Sequence, residues 1–266
     1  MRNRSGNSAA PRSKASGNIG LARALSKLGV CSRSQAAELI RAGRVKRNGT
    51  PCRDPETPVH LGKDRIELNG SPLAKSAQIY LALNKPRGVV TTASDEKGRE
   101  TVYKYLPAGQ SWVAPVGRLD MASEGLLLLT NDSEWAAQVS APETHLEKTY
   151  HVQVAAIADE NLLDALRVGI RSSGSGEVLR AKRASLLRRG ERNSWIEIVL
   201  DEGKNRQIRR MLEHLELEVL RLIRVSIGPL ALGDLAKGET RVIRKEEKQA
   251  LDRAMKAASR TPAPSR

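Results

Sequence analysis

The residues with the most chemical potential in this 266-residue chain crowd into one stretch, Gly117-Arg118-Leu119-Asp120 followed by Met121-Ala122-Ser123-Glu124-Gly125, Leu126-Leu127-Leu128-Leu129 and Thr130-Asn131-Asp132. A charged loop runs directly into a strand too apolar to be anything but core, so Asp120 is anchored close to buried structure. A carboxylate so placed can act as a nucleophile or a base where cations keep it ionised. On spacing alone, a turn aspartate capping the next segment explains it at least as well. A second concentration of charge, Arg206, Arg209 and Arg210, opens a helical pattern over 204–215. Arg206 and Arg210 are four apart and share a face, while Arg209 points in a neighbouring direction. One of them can turn inward to a carboxylate while the others meet phosphates; the alternative is that all face solvent or RNA.

These groups need a scaffold, and the pattern supplies one. Strand-like runs recur at 79–83, 89–92, 125–130, 149–155, 195–200 and 219–227, with helical patterns near 133–139, 159–168 and 204–215. Such a mixture predicts an α+β domain around a mixed sheet. Ahead of it, Leu21, Leu25 and Leu28 recur at helical spacing and Gly29 ends the segment. Ser32-Arg33-Ser34-Gln35 reads as a capping box opening a second helix with an Ala36, Leu39 and Ile40 face. Val45 between Arg44 and Lys46, the Asn48-Gly49 turn and Asp64–Leu68 before Asn69-Gly70 predict a small sheet. The expected divisions are a disordered basic tail over 1–17, a small module over 18–76, a larger domain over 77–250 and a basic C-terminal tail over 251–266. One face of the small module would carry Arg23, Lys27, Arg33, Arg41, Arg44 and Lys46. Long cations on helices beside a basic strand suit a phosphate-lined RNA groove; an ordinary solvated face accounts for the same spacing.

Composition narrows the partners. A formal charge of +15 points to a polyanion, nucleic acid first. Cys31 and Cys52 match no metal spacing and are too few for a disulfide framework, and His60, His145, His151 and His214 are scattered, so no metal site is expected. No glycine pattern for a nucleotide cofactor occurs. No apolar stretch approaches the roughly 20 residues of a spanning helix, and the basic N-terminus lacks a following apolar region. The expectation is a cytoplasmic protein, working as a monomer because no heptad or long apolar face is exposed.

The run Leu21 to Leu28, Gly29-Val30-Cys31-Ser32-Arg33, Ala36-Ala37, Ile40, Gly43-Arg44-Val45 and Asn48-Gly49 resembles the alpha-L RNA-binding module first known from small-subunit ribosomal protein four. That resemblance implies binding to structured RNA. From this module to about Arg244, the chain resembles the RsuA/RluB family of bacterial ribosomal RNA pseudouridine synthases. The likeness is carried by the Gly117–Asp120 loop with its Glu124–Asp132 continuation, Asn84-Lys85-Pro86 with Gly88, Glu147-Lys148-Thr149-Tyr150, Glu202-Gly203-Lys204-Asn205-Arg206-Gln207-Ile208-Arg209-Arg210-Met211, and Arg221-Leu222-Ile223-Arg224-Val225 through Leu230. It implies an alpha-L module followed by a pseudouridine synthase domain with a mixed, mainly antiparallel sheet flanked by helices. It implies ribosomal RNA as substrate, free or in a pre-ribosomal particle, and no cofactor. Asp120 would be the essential carboxylate, Tyr150 would lie on the target uracil, Arg209 would pair with Asp120, Arg118 would enter the RNA stack as the nucleotide flips out, and Leu119 would wall the pocket. Arg206 and Arg210 would meet RNA. Met121-Ala122-Ser123 stands where such proteins often have a more polar trio.

Physical reasons accompany these roles. The reaction breaks a carbon–nitrogen glycosidic bond, turns the uracil and rejoins it through carbon, so the detached base must be held away from water. A stacking ring contributes about 1–3 kcal/mol; the chain has no Phe, which singles out Tyr150, although aromatics favour strands in any case. Extruding the nucleotide costs a few kcal/mol, part of which an inserted Arg118 would offset. Asp120 could attack the ribose, attack the base ring or remove a sugar proton, and the residues do not choose among these. The competing reading is a non-catalytic RNA-binding or ribosome-assembly factor, against which stands the joint presence of Asp120, Tyr150 and Arg209; transfer RNA is a further substrate class.

Overall fold

The computed structural model describes residues 18–74, 76–93, 95–171 and 176–258. The basic arm over 1–17 and the last residues, 259–266, lie outside them. The chain divides between Ser76 and Ala77 into two compact units.

In the first unit, β1 (Ile19–Gly20) leads into α1 (Leu21–Lys27) and α2 (Arg33–Arg41), followed by β2 (Val45–Arg47), β3 (Thr50–Cys52), β4 (Pro58–Val59), β5 (Ile66–Leu68) and β6 (Ser71–Pro72). The capping box forms: Ser32 Oγ accepts from the Gln35 backbone N–H, and Gln35 accepts from that of Ser32. Asn48 and Gly49 both take positive φ, 50° and 82°, as a two-residue hairpin between β2 and β3 requires. Leu21, Leu25, Ile40, Val45, Val59 and Ile66 close a core of their own.

The second unit holds β7 (Tyr80–Lys85), β8 (Ala114–Val116), β9 (Glu124–Thr130), α3 (Ser133–Ser140), β10 (Lys148–Val154), α4 (Glu160–Val168), β11 (Ile170–Arg171), β12 (Val178–Leu179), β13 (Arg183–Arg189), β14 (Ser194–Leu200), α5 (Gln207–His214), β15 (Val219–Ile227), β16 (Leu230–Ala231), β17 (Thr240–Val242) and α6 (Lys245–Ala258). The main sheet runs β13-β14-β10-β15-β9-β7-β17, with β8 beside β9 and β16 beside β15. Among the described strands of this sheet β15 and β9 pair in parallel and the others antiparallel, so the sheet is mixed and mainly antiparallel, as the sequence predicted. Val89–Thr92 differs from its strand expectation: Val90 makes an isolated bridge to Thr101 and nothing longer. The expected tail from 251 also differs, because Leu251 and Met255 lie on α6 and are buried in the core. No helix among the described residues is long and apolar enough to cross a membrane.

Every residue of β9 is buried. Leu126 and Leu128 pack with Trp135, Val139 and Ile227 on one side, and Leu127 and Leu129 with Leu81, Leu83 and Leu119 on the other. The period-two alternation of a strand sends neighbouring leucines to opposite layers, which explains why four in succession are needed. Its end is fixed by polar groups. Thr130 Oγ1 donates to the Ile79 carbonyl, Asn131 bridges Ile79 N–H and the Ala77 carbonyl, and Asp132 caps α3 while accepting from Tyr80 Oη. Its start is held by Glu124, which Arg221 and Lys237 engage at 3.0 and 2.7 Å. Burial pushes this carboxyl up, but the bonds from the two cations outweigh it and hold the group below its ordinary range.

Two features at this junction constrain the backbone. Gly125 has φ 101°, and a Cβ there would overlap the Arg224 backbone, with its nitrogen at 2.8 Å. Lys85, fully buried at the end of β7, donates its ammonium protons to the carbonyls of Pro86, Asp120 and Ser123 at 3.1, 3.1 and 2.9 Å. Burial depresses its pKa to about 8, against the opposing pull of Asp120 and Glu124.

Gly125→Ala is expected to cost about 3 kcal/mol or more, combining positive-φ strain with a backbone overlap that no rotamer relieves; urea unfolding measures it, and an unchanged midpoint would refute the close approach. The Lys85 shift also sets a pH window. Because the folded group titrates near 8 and the free side chain near 10.5, the unfolded chain binds more protons between those values. The group's unfavourable contribution is therefore complete below the lower value and relieved as pH rises towards the upper one. Wild type should gain stability relative to Lys85→Met across that interval, in unfolding curves compared at matched pH; a pH-independent difference would be inconsistent with a depressed Lys85.

Candidate active site

The loop between β8 and β9 is fixed from below. Gly117 turns the chain at φ 70°. Leu119 is 7% exposed and belongs to the core layer beneath β9, and Thr91 Oγ1 donates to its carbonyl at 2.8 Å. Lys85 takes the carbonyls of Asp120 and Ser123, and Arg209 Nη2 that of Ala122 at 2.9 Å. The backbone around Asp120 is thus held by cations at the carbonyls of Asp120, Ala122 and Ser123, which leaves its side chain, 34% exposed, to face outward into a cleft of about 190 Å³. That is the scale of a single ring, small beside the pockets that take drug-sized ligands.

Asp120 makes its ion pair with Arg206, at 3.6 Å, and the pairing with Arg209 expected from the sequence is thereby corrected. Arg206 caps α5 in the left-handed conformation, φ 48°, immediately before the helix, whereas Arg209 lies within the first turn and is half-buried. Burial, with Arg206 and Arg87 nearby, lowers the Arg209 pKa, and Asp120 opposes this. Arg209 is close enough for its charge to act on Asp120 while its hydrogen bond goes to the loop backbone. Its Nε is buried without a partner.

The opposite wall is built from the sheet. Tyr150 pairs directly with Arg224 across β10 and β15, and Lys148, two residues earlier, shares the Tyr150 face. All three line the cleft with Leu119, Leu200, Leu222 and Ile227. Burial and the neighbouring Arg224 lower the Lys148 pKa. The site therefore offers one carboxylate, one aromatic ring and several cations inside apolar walls. Such a set can hold a flat polar ring against a carboxylate and exclude bulk water.

Arg118, exposed at the rim, Leu119, Asp120, Tyr150, Arg206 and Arg209 are all brought to this cleft. Arg210 turns aside to Glu177 at 3.6 Å. In the first unit Arg23, Arg33, Arg41, Arg44 and Lys46 are exposed and Lys27 is half-buried; Arg44 Nε donates to Asn69 Oδ1 at 2.9 Å. The sequence reading assigned no role to Lys85, Lys148 or Arg224. For Lys148 the signal was present, since period-two spacing puts it on the Tyr150 face; for Arg224 it was not, because its pairing with Tyr150 crosses a bulge after Thr149.

The comparisons with known proteins agree with this geometry. The RNA pseudouridylate synthase family model matches residues 79–214, and the S4 domain model matches residues 19–66. The chain is 38% identical over 228 residues to ribosomal large subunit pseudouridine synthase B of Bacillus subtilis (strain 168), covering 85% of this chain and 93% of that protein. It is 34% identical over 232 residues to an RNA pseudouridine synthase of Aquifex aeolicus (strain VF5), covering 87% and 92%. A crystal structure of a pseudouridylate synthase superposes with a TM-score of 0.62 at 30% identity, covering 88% of this chain and 99% of that one. With the matched segment spanning the cleft from β7 to α5, and relatives aligned over nearly their whole length, the chain belongs to the RNA pseudouridylate synthase family.

Proposed function

We propose that the chain converts uridine to pseudouridine in ribosomal RNA, with Asp120 as the essential carboxylate. The observation that carries this reading is the clamped loop: carbonyls on and around Asp120 are held by Lys85 and Arg209, so its carboxylate is presented, ion-paired to Arg206, opposite Tyr150. The Bacillus relative's name supports ribosomal RNA of the large subunit as the first transcript to test.

The residues divide the work. The small unit, with Arg23, Lys27, Arg33, Arg41, Arg44 and Lys46, supplies sequence-independent phosphate contacts. Arg118 at the rim fills the space a flipped nucleotide leaves in the RNA stack, and Tyr150 stacks on the uracil against Leu119. Asp120, ion-paired to Arg206 with Arg209 nearby, acts at the sugar or the base as the carbon–nitrogen bond opens; C5 then bonds to C1′ and its proton passes to N1. Arg210 extends the phosphate contacts beside the cleft. The chain acts as a cytoplasmic monomer, on free RNA or on a pre-ribosomal particle.

Asp120→Asn is expected to bind the transcript within about twofold of wild type, since phosphate contacts dominate affinity, while forming no detectable pseudouridine; product from the variant would end this reading. Arg118→Ala is expected to lower kcat/KM by about tenfold or more on a base-paired target uridine and far less on the same uridine in an unpaired loop, because only the paired base must be extracted from a stack. Equal losses on the two substrates would exclude the insertion role.

A further inference from the structure

Arg224 is 6% exposed, yet lines the cleft. Its Nε donates to the Leu126 carbonyl at 2.7 Å, which fixes the guanidinium plane, and its Nη2 is buried without a partner. Among the described residues no acidic side chain lies within ion-pair distance of it, in contrast to Arg206 and Arg221, which face Asp120 and Glu124. Beside it stands Lys148, itself depressed by burial and by Arg224. A folded protein does not ordinarily bury a guanidinium edge with nothing to receive it. Here two cations share one wall: Asp201 acts on Lys148 only at a distance, and Asp120 is engaged by Arg206.

We propose that Arg224 and Lys148 form an anion-stabilising wall for the uracil ring as it leaves the ribose. This rests on the reading of the cleft as the uridine site. When the C1′–N1 bond breaks, its electron pair stays on N1, and the negative charge spreads over N1, O2 and O4 of the detached ring. The sugar carbon left electron-poor is met by the Asp120 carboxylate, or its C2′ proton is removed by it. In either case the ring is anionic until C5 bonds to C1′, as the Asp120–C1′ bond breaks or Asp120 returns the proton to C2′; loss of the C5 proton and protonation of N1 then complete the product. Because Arg224 pairs with Tyr150 across the strands and both line the cleft, a ring stacked on the tyrosine lies beside the guanidinium. The free Nη2 is then a donor reserved for charge that exists only after bond cleavage, the arrangement that lowers a barrier most effectively. Depth separates this role from phosphate binding: the exposed cations Arg118 and Arg206 sit where a backbone can reach, and Arg224 does not.

The test compares binding of uracil with that of barbiturate, a pyrimidine ring that is anionic at neutral pH, by calorimetric titration of the full chain. Wild type is expected to favour barbiturate by about tenfold, as an ionic hydrogen bond would provide. Arg224→Gln and Lys148→Gln should each remove most of that preference, and Arg224→Gln should slow single-turnover conversion of RNA by about 10²-fold with unchanged RNA affinity. Thermal melts accompany both variants; should Arg224→Gln fail to fold, Lys148→Gln decides alone. Equal binding of the two rings by wild type, or a preference that survives in the folded variants, overturns the proposal. Conversion of ribosomal RNA by wild type is scored separately. Its absence would strike the functional reading, while the ring preference decides the present inference either way.

Discussion

A single buried ammonium organises this protein. Lys85 has no exposed surface, and a charge so placed is tolerated only when every proton is hydrogen-bonded. The carbonyls of Pro86, Asp120 and Ser123 meet that demand. The consequence runs both ways: the lysine is held because the loop wraps it, and the loop takes one shape because the lysine needs those carbonyls. The position of the Asp120 carboxylate follows from the desolvation of another residue.

The second constraint is the approach of β9 to β15. Gly125 lets two parallel strands meet where any side chain would strike the Arg224 backbone. Glu124, flanking it, is gripped by Arg221 from β15 and by Lys237. The same register sets Arg224 opposite Tyr150 on β10. The Asp120 loop, the Tyr150 ring and the Arg224 guanidinium are thus mounted on neighbouring strands of one sheet, where relative displacements are small and a site geometry is readily maintained.

Charge is then distributed by depth. Arg118 and Arg206 stand at the opening, where RNA phosphates can approach. Arg209 is half-buried and spends its hydrogen bond on the loop. Lys148 is likewise half-buried, and Arg224, 6% exposed, is the most enclosed of these cations. Each step inward raises the penalty for an unmatched cation and with it the gain when an anion arrives. The basic first unit adds attraction for RNA without needing to know which uridine is modified.

By itself the sequence determined the parts whose physics is local. The capping box at Ser32 and Gln35 and the Asn48-Gly49 hairpin depend on near neighbours, and the four leucines of β9 could only be a strand buried on both faces. The loop from Gly117 to Asp120 was legible as a motif, as were Tyr150 and the arginines of α5. Tertiary structure decided what depends on partners far along the chain. It gave Asp120 to Arg206 instead of Arg209, because a left-handed cap aims the first arginine outward over the cleft. It drew residues 251–258 from an expected tail into a core helix, since Leu251 and Met255 find apolar neighbours only in the folded sheet. It also turned Lys85 and Arg224 from unremarked motif residues into the foundation and the deep wall of the site. Burial and hydrogen-bond satisfaction belong to the assembled fold, and no spacing within a linear sequence records them.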